Sequence, residues 1–336
     1  MDNRDVIIST RIRLARNLRN YPFPCRMTKD QAQQITEKIK SAILDGGSAL
    51  AGRFKYIDMS QLTQEQAVSL VEKHLISPEM VSDKPGRGVL LLDDETVSIM
   101  INEEDHIRLQ VILNGLDLNK AYDIANKLDT LLDESLSLAF NDRLGYLTQC
   151  PTNIGTGMRA SVMLHLPALQ EAHTMGRIAE NLSKLGLTLR GTYGEGSEAK
   201  CAMYQLSNQV TLGISEQTAI ENLKNITMQL VAQERNSRET MVENIRTKDI
   251  ISRSMGILSY AKLISNEEAM SLLSNIRLGI ATKTVEDIPF DVIDKLLIDI
   301  QPATLMCREG KRLTPQERDA VRAELISQTL GKYTGK

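Results

Sequence analysis

Five arginines fall on segments whose residues alternate between two faces: Arg11, Arg13, Arg108, Arg159 and Arg190. Arg11 and Arg13 are two residues apart, so a strand points both side chains to one side. A guanidinium stays charged and offers paired N–H donors that match phosphate oxygens. Several of them facing one cleft would hold a polyphosphate without a Walker loop. Taken singly, each also fits an ordinary exposed arginine. Glycine-rich neighbours shift that balance: Gly155-Thr156-Gly157 precedes Arg159, and Gly191-Thr192-Tyr193-Gly194 follows Arg190. Glycine lets backbone approach a phosphate closely.

Three further clusters carry chemistry. Asn102-Glu103-Glu104-Asp105-His106 lies between two strand-like runs. On composition it is a solvated acidic turn; a carboxylate there is also placed to orient a cationic substrate or take its proton. Alternation puts Glu104 on the same face as Arg108. Cys150, followed by Pro151 and a glycine-rich turn, sits at a strand end, where nearby arginines would favour its thiolate. Arg318 and Arg322 are four residues apart on a helix opening at Thr314-Pro315-Gln316-Glu317. They could grip a phosphate while Asp319 meets a guanidinium, although a charged surface helix has the same pattern.

The elements that must position these residues are legible in outline. Residues 8–14 and 107–113 alternate as strands, and residues 88–92 and 96–101 flank Asp93-Asp94-Glu95 as a hairpin. Arg159–Leu166 and Leu187–Arg190 read as further strands, with one helix expected from Ala168 to Leu185 and Gly186 as its stop. Thr28-x-x-Gln31, Thr63-x-x-Gln66 and Ser265-x-x-Glu268 are capping boxes. After Ser215 only helical periodicity remains. The polar stretch Gln233–Glu239 is either a boundary or the exposed middle of one long helix. The expectation is an α+β fold: a mainly antiparallel sheet flanked by helices over residues 1–235, and an all-α domain over 236–336.

Composition narrows the function. With 40 Lys+Arg against 43 Asp+Glu, net charge −3, 4% aromatics and no Trp, neither a nucleic-acid footprint nor a base-stacking surface is expected. No apolar run is long enough to span a membrane, and the charged start lacks a signal peptide's apolar stretch. Four scattered cysteines without C-x-x-C disfavour disulfides and zinc and suggest a reducing, cytoplasmic setting. Gly155-Thr156-Gly157-Met158-Arg159-Ala160 matches G-x-G-x-x-A by letter but opens a strand, the wrong context for a dinucleotide fold.

Ser9-Thr10-Arg11-Ile12-Arg13, Asn102-Glu103-Glu104-Asp105-His106-x-Arg108, Cys150-Pro151-Thr152-Asn153-x-Gly155-Thr156 and Arg190-Gly191-Thr192 occur in the order of the motifs of the ATP:guanidino phosphotransferase (phosphagen kinase) family. The chain resembles that family over about residues 5–235, giving a phosphagen-kinase-like catalytic domain. The first motif starts close to Met1, without the helical domain that precedes it in creatine and arginine kinases. A helical extension follows, with Arg318-Asp319-Ala320-Val321-Arg322-Ala323 similar to a phosphoarginine-binding motif. Both features resemble the branch that phosphorylates arginine in proteins. The resemblance implies that Ser9, Arg11, Arg13, His74, Arg108, Arg159 and Arg190 bind the nucleotide. It implies that Glu104 is the catalytic carboxylate, that Glu195 holds the other side of the guanidinium, and that Cys150 belongs to the site. Arg318, Asp319 and Arg322 would form an allosteric phosphoarginine site. ATP and Mg²⁺ are the implied cofactors, with no metal held by protein ligands. Implied partners are protein substrates with exposed arginine, a zinc-binding activator, a Clp ATPase/protease and a second copy of the chain bound through the helical domain; a heat-shock repressor is among the implied substrates. A kinase for free arginine and a non-catalytic phosphoarginine-binding adaptor are the alternatives.

Overall fold

A computed structural model describes residues 3–46, 51–82, 86–191 and 199–333. The strands among them are β1 (Ile7–Arg16), β2 (Phe54–Asp58), β3 (Gly88–Leu92), β4 (Val97–Ile101), β5 (Ile107–Asn114), the short β6 (Phe140–Asn141) and β7 (Gly145–Tyr146), β8 (Met158–His165), β9 (Leu187–Gly191) and β10 (Met203–Asn208). The helices are α1 (Lys29–Leu44), α2 (Gln64–Glu72), α3 (Leu118–Leu136), α4 (Pro167–Glu171), α5 (Met175–Lys184), α6 (Glu216–Val242), α7 (Ile245–Tyr260), α8 (Asn266–Ala281), α9 (Phe290–Asp299), α10 (Pro302–Glu309) and α11 (Pro315–Gly331). The expected α+β arrangement forms, with one sheet in the order β2-β3-β4-β5-β1-β8-β10-β9 and a helical C-terminal region. None of the described helices is long and apolar enough to cross a membrane.

The chain divides into two compact units. One comprises Ser9–Ser161 and Ser207–Asn225. In it β1 and β5 pair antiparallel, with Arg11 opposite Ile112, Arg13 opposite Gln110 and Ala15 opposite Arg108. Opposite residues of an antiparallel pair point to the same side, so Arg11, Arg13 and Arg108 share one face and Ile12, Leu14, Leu109 and Val111 the other. The apolar set is fully buried. It faces α3, whose Ala121, Ala125, Leu128 and Leu132 repeat at helical spacing and are also buried. Thr28 and Thr63 cap α1 and α2 with complete capping boxes, as their spacing predicts.

The other unit comprises Met1–Ile8, Val162–Leu206 and Ile226–Lys336. Its apolar centre includes Leu258, Leu273, Ile276, Ile293, Leu296 and Ile326 from the C-terminal helices. Two features differ from the sequence reading. The helix expected over 168–185 breaks into α4 and α5, because His173 between them takes a left-handed backbone with φ of 52°. The stretch 233–239 lies within the unbroken α6, but its middle is not wholly exposed. Glu234 is buried, accepting hydrogen bonds from the Ala168 and Leu169 backbone at the start of α4 and from Arg238. A buried carboxylate on a helix N-terminus satisfies donors the helix leaves open.

Candidate active site

The arginine face of the first unit is built by strand parity and then by repulsion. Ser9, Arg11 and Arg13 alternate along β1, Arg108 comes from β5, and Arg159 from β8. Arg11 has its pKa pushed down to about 10, by burial first and then by Arg108 and Arg159. Arg13 is pushed well below the ordinary range by burial and by Arg11, Arg108 and Arg159, with Glu103 opposing. The Nε of Arg13 is buried without a hydrogen-bond partner. Each arginine is thus held close to like charges, an arrangement that an incoming polyanion would relieve.

His74 lies against the same face. It follows α2 in a left-handed turn with φ of 61°, and its carbonyl accepts a hydrogen bond of 2.8 Å from Gln110, the residue opposite Arg13. Burial, with Arg11 nearby, pushes its imidazole down to about 4, so the ring is neutral at physiological pH.

The acidic segment is a turn, not a strand continuation. Asn102 has φ of 58°, its N–H bonds the His106 carbonyl, and its side-chain amide donates to Ala32, Thr36 and Gly86. This turn undoes the alternation that paired Glu104 with Arg108. Glu103 meets Arg108 instead, through two bonds of 2.5 and 2.6 Å, and accepts a third from Ser77 at 2.6 Å. Burial raises the Glu103 pKa, but Arg108 and Ser77 outweigh it and the net direction is down. Glu104 goes the other way: burial, then Asp105, Glu103 and Glu79, raise its pKa against Arg108. A half-buried carboxylate among other carboxylates has raised proton affinity and is suited to taking a proton.

Asp105 and His106 are structural. Asp105 accepts hydrogen bonds from Asn17 at 2.6 Å and from the Gln149 N–H at 2.8 Å. His106 accepts at Nδ1 from the Leu18 N–H and donates from Nε2 to the Pro22 carbonyl, which fixes the neutral tautomer. Cys150 is half-buried, with its Sγ 3.0 Å from the Thr152 hydroxyl.

The glycines at 155 and 157 make room for other parts of the chain. A Cβ on Gly155 would sit 2.1 Å from the Thr211 carbonyl oxygen. One on Gly157 would sit 2.6 Å from Nη1 of Arg16 and 2.7 Å from the Ala15 carbonyl oxygen. At both positions a side chain is excluded by protein atoms already in place.

Within this unit the structure brings together Ser9, Arg11, Arg13, His74, Glu104, Arg108, Cys150 and Arg159 on neighbouring strands and turns. Arg190 belongs to the other unit, exposed near the end of β9. Glu195 lies outside the described residues. On α11, Arg318 donates to the Leu313 carbonyl. Arg322 is buried, donating to the Ile300 and Ile264 carbonyls and, at 2.6 Å, to Asp319. Among the described residues no group of three or more His, Cys, Asp or Glu could hold a metal ion. Sequence reasoning did not single out Glu103, Ser77, Arg16 or Asn17. The available signal was their position inside or beside the motifs already noted.

The model of the ATP:guanido phosphotransferase C-terminal catalytic domain matches residues 34–237, and that of the protein-arginine kinase McsB C-terminal domain matches residues 244–336. The chain is 49% identical over 329 residues to the protein-arginine kinase of Halothermothrix orenii, covering 97% of this chain and 93% of that one. It is 45% identical over 332 residues to that of Caldanaerobacter subterraneus subsp. tengcongensis, covering 98% of each. Among solved structures, it is similar to lombricine kinase with a TM-score of 0.63 and 29% identity, over 70% of this chain and 68% of that one. It is also similar to the substrate-free duplicated taurocyamine kinase of Schistosoma mansoni, with a TM-score of 0.60 and 31% identity, over 68% of this chain and 33% of that one. With the arginine face, the N-E-E-D turn and the cysteine loop in the family's order, the chain belongs to the ATP:guanido phosphotransferase family, among the protein-arginine kinases.

Proposed function

We propose that this chain transfers the γ-phosphoryl group of ATP to the guanidinium of arginine side chains in proteins. The observation that carries the reading is the convergence of Arg11, Arg13, Arg108 and Arg159 on one face, next to a turn that presents Glu104 with raised proton affinity. The arginines bind the phosphates and match the negative charge spread over the transferring group. A guanidinium stays protonated throughout the physiological pH range and attacks poorly until a nitrogen lone pair is freed. Glu104 orients it and accepts its proton as the N–P bond forms; the β–γ bridging O–P bond breaks, and ADP carries the electron pair away. Glu103 keeps Arg108 aimed. His74, neutral, lies beside the nucleotide. By family resemblance Arg190 joins the phosphate set, Glu195 holds the other side of the guanidinium, and Cys150 borders it.

Mg²⁺ enters as part of the substrate. It would neutralise part of the phosphate charge, while the chain's arginines bind the rest of the polyphosphate. On α11, Arg318 and Asp319 are the groups left to meet the phosphate and guanidinium of a phosphoarginine, with Arg322 acting through its bond to Asp319. The domain roles we assign are catalysis over residues 1–235, and dimerisation with phosphoarginine sensing over 236–336. In the cell we place the activity in the cytoplasm, in heat-shock repressor control and Clp-dependent degradation, with a zinc-binding activator.

The test is incubation of the full chain with Mg-ATP and either an unfolded arginine-rich protein or free arginine, read by mass spectrometry. Acid-labile phosphate on protein arginine and none on free arginine is expected. Transfer to free arginine would make it a small-molecule guanidine kinase. No transfer to either, with activator present, would leave a phosphoarginine-binding adaptor.

A further inference from the structure

Three backbone segments border the site without a long strand ladder to fix them: the turn at 102–106, the stretch 147–150 before and at the cysteine, and the glycine loop 155–157. All three are bonded directly to two consecutive residues, Arg16 at the end of β1 and Asn17 just after it. The amide of Asn17 donates to Asp105 Oδ1 at 2.6 Å and to the Leu147 carbonyl at 3.0 Å, and its oxygen accepts from the His106 N–H at 2.9 Å. Asp105 in turn accepts from the Gln149 N–H. Arg16 is 2% exposed, on the face of β1 opposite Arg11 and Arg13. It binds Asp129 of α3 with Nε and Nη2 at 2.8–3.1 Å and stacks on the Tyr146 ring at 3.4 Å. Its Nη1 donates to the Thr156 carbonyl at 3.0 Å and the Ala15 carbonyl at 2.9 Å.

We propose that Arg16 and Asn17 together form the positioning hub of this active site, setting the Glu104 turn, the Cys150 segment and the Gly155–Gly157 loop in register with the phosphate-binding arginines of β1. The proposal rests on the reading of Glu104 and Cys150 as site residues. Neither hub residue touches substrate in it. Both are chosen by geometry. Only an amide supplies two donors and an acceptor at that length: aspartate at position 17 would have no donor and would place a carboxylate against Asp105. Only a guanidinium has a planar fork that meets a carboxylate on one edge and two carbonyls on the other, with an aromatic ring on its face. Gly157 follows from the same hub, since any side chain there would displace Nη1 of Arg16.

The test uses the full chain carrying Asn17→Asp or, as the variant that keeps its charge, Arg16→Lys. Three quantities are read: kcat, KM for Mg-ATP, and the alkylation rate of Cys150 by iodoacetamide, resolved by peptide mass spectrometry. Displacing catalytic groups by about 1 Å costs on the order of a hundredfold in rate, so kcat should fall by about that factor. KM for Mg-ATP should stay within about threefold, because the β1 arginines keep their strand. Alkylation at Cys150 should change while exposed Cys307 reacts as before. Wild-type kcat in both variants would overturn the proposal. So would a loss that tracks only the folded fraction, with Cys150 reactivity unchanged in the folded protein. Should Glu104→Gln retain activity, the Glu104 assignment fails by itself, and Cys150 alkylation still decides whether the hub positions its loop.

Discussion

Replacing Arg13 by Met should make the ligand-free protein more stable and its nucleotide affinity much worse. Arg13 is buried beside Arg11, Arg108 and Arg159, has Glu103 as an opposing charge, and leaves its Nε without a partner. A nearby like charge at an effective dielectric near 20 repels by roughly 1–2 kcal/mol. Three such neighbours, less one attraction and solvent relaxation, leave about 1–3 kcal/mol to be gained by an apolar side chain, the scale seen when buried charges are replaced. For a chain of this size that is roughly 2–6 °C in Tm. Charge-assisted hydrogen bonds contribute about 1.5–3 kcal/mol each, so ATP affinity should drop at least about tenfold. Scanning calorimetry with and without tripolyphosphate reads both effects: a polyanion at a hundred times its Kd should stabilise the wild type by about 2.7 kcal/mol and the variant far less. A lower Tm for the ligand-free variant, or an unchanged polyphosphate shift, would refute the reasoning, since Arg13 would then be a structural residue.

The two adjacent carboxylates should separate by phenotype. Glu103→Gln breaks a pair whose carboxylate is 1% exposed and should cost about 2–4 kcal/mol, seen as a lower denaturation midpoint at unchanged m-value; a change under about 0.5 kcal/mol would contradict the clamp on Arg108. His106 should set part of the acid limb of stability: burial holds its folded pKa at about 4 against about 6.5 unfolded, so stability is full above pH 6.5 and falls by up to about 3 kcal/mol toward pH 4. His106→Asn should be less stable at neutral pH with a flatter acid limb, and an unaltered limb would remove His106 from that role. Gly157→Ala should lose more than about 1 kcal/mol, because it combines a φ of 58° with a clash against Arg16; wild-type thermal stability would show that the loop can move aside.

Much of the fold was legible because strand parity and helix caps are local properties. Arg11 and Arg13 alternate with buried Ile12 and Leu14, and Thr28, Thr63 and Thr314 cap their helices from spacing alone. The arginine face followed from the same parity. Parity failed at Asn102, where a left-handed residue resets the phase and gives Arg108 to Glu103; non-local bonds to Ala32 and Gly86 hold that turn, and no window of sequence contains them. The split between α4 and α5 rests on one left-handed residue, His173, which is not a type that breaks a helix by itself, so the apolar spacing read through it. Glu234 and Arg238 looked solvated because their partners lie far away in sequence. The glycines of 155–157 stood out in the sequence, but the protein atoms that a side chain there would meet, Thr211 and Arg16, are fixed by tertiary packing and lie outside any local window.

The most direct test of the central claim compares wild type and Glu104→Gln with Mg-ATP and an unfolded arginine-rich protein, scoring phosphate bonded to arginine nitrogen by mass spectrometry. Glutamine keeps the shape, relieves repulsion from Asp105, Glu103 and Glu79, and removes the proton acceptor. The variant should fold, be at least as stable as wild type, still bind Mg-ATP and transfer at least about a hundredfold more slowly. Transfer at the wild-type rate would contradict the role given to Glu104.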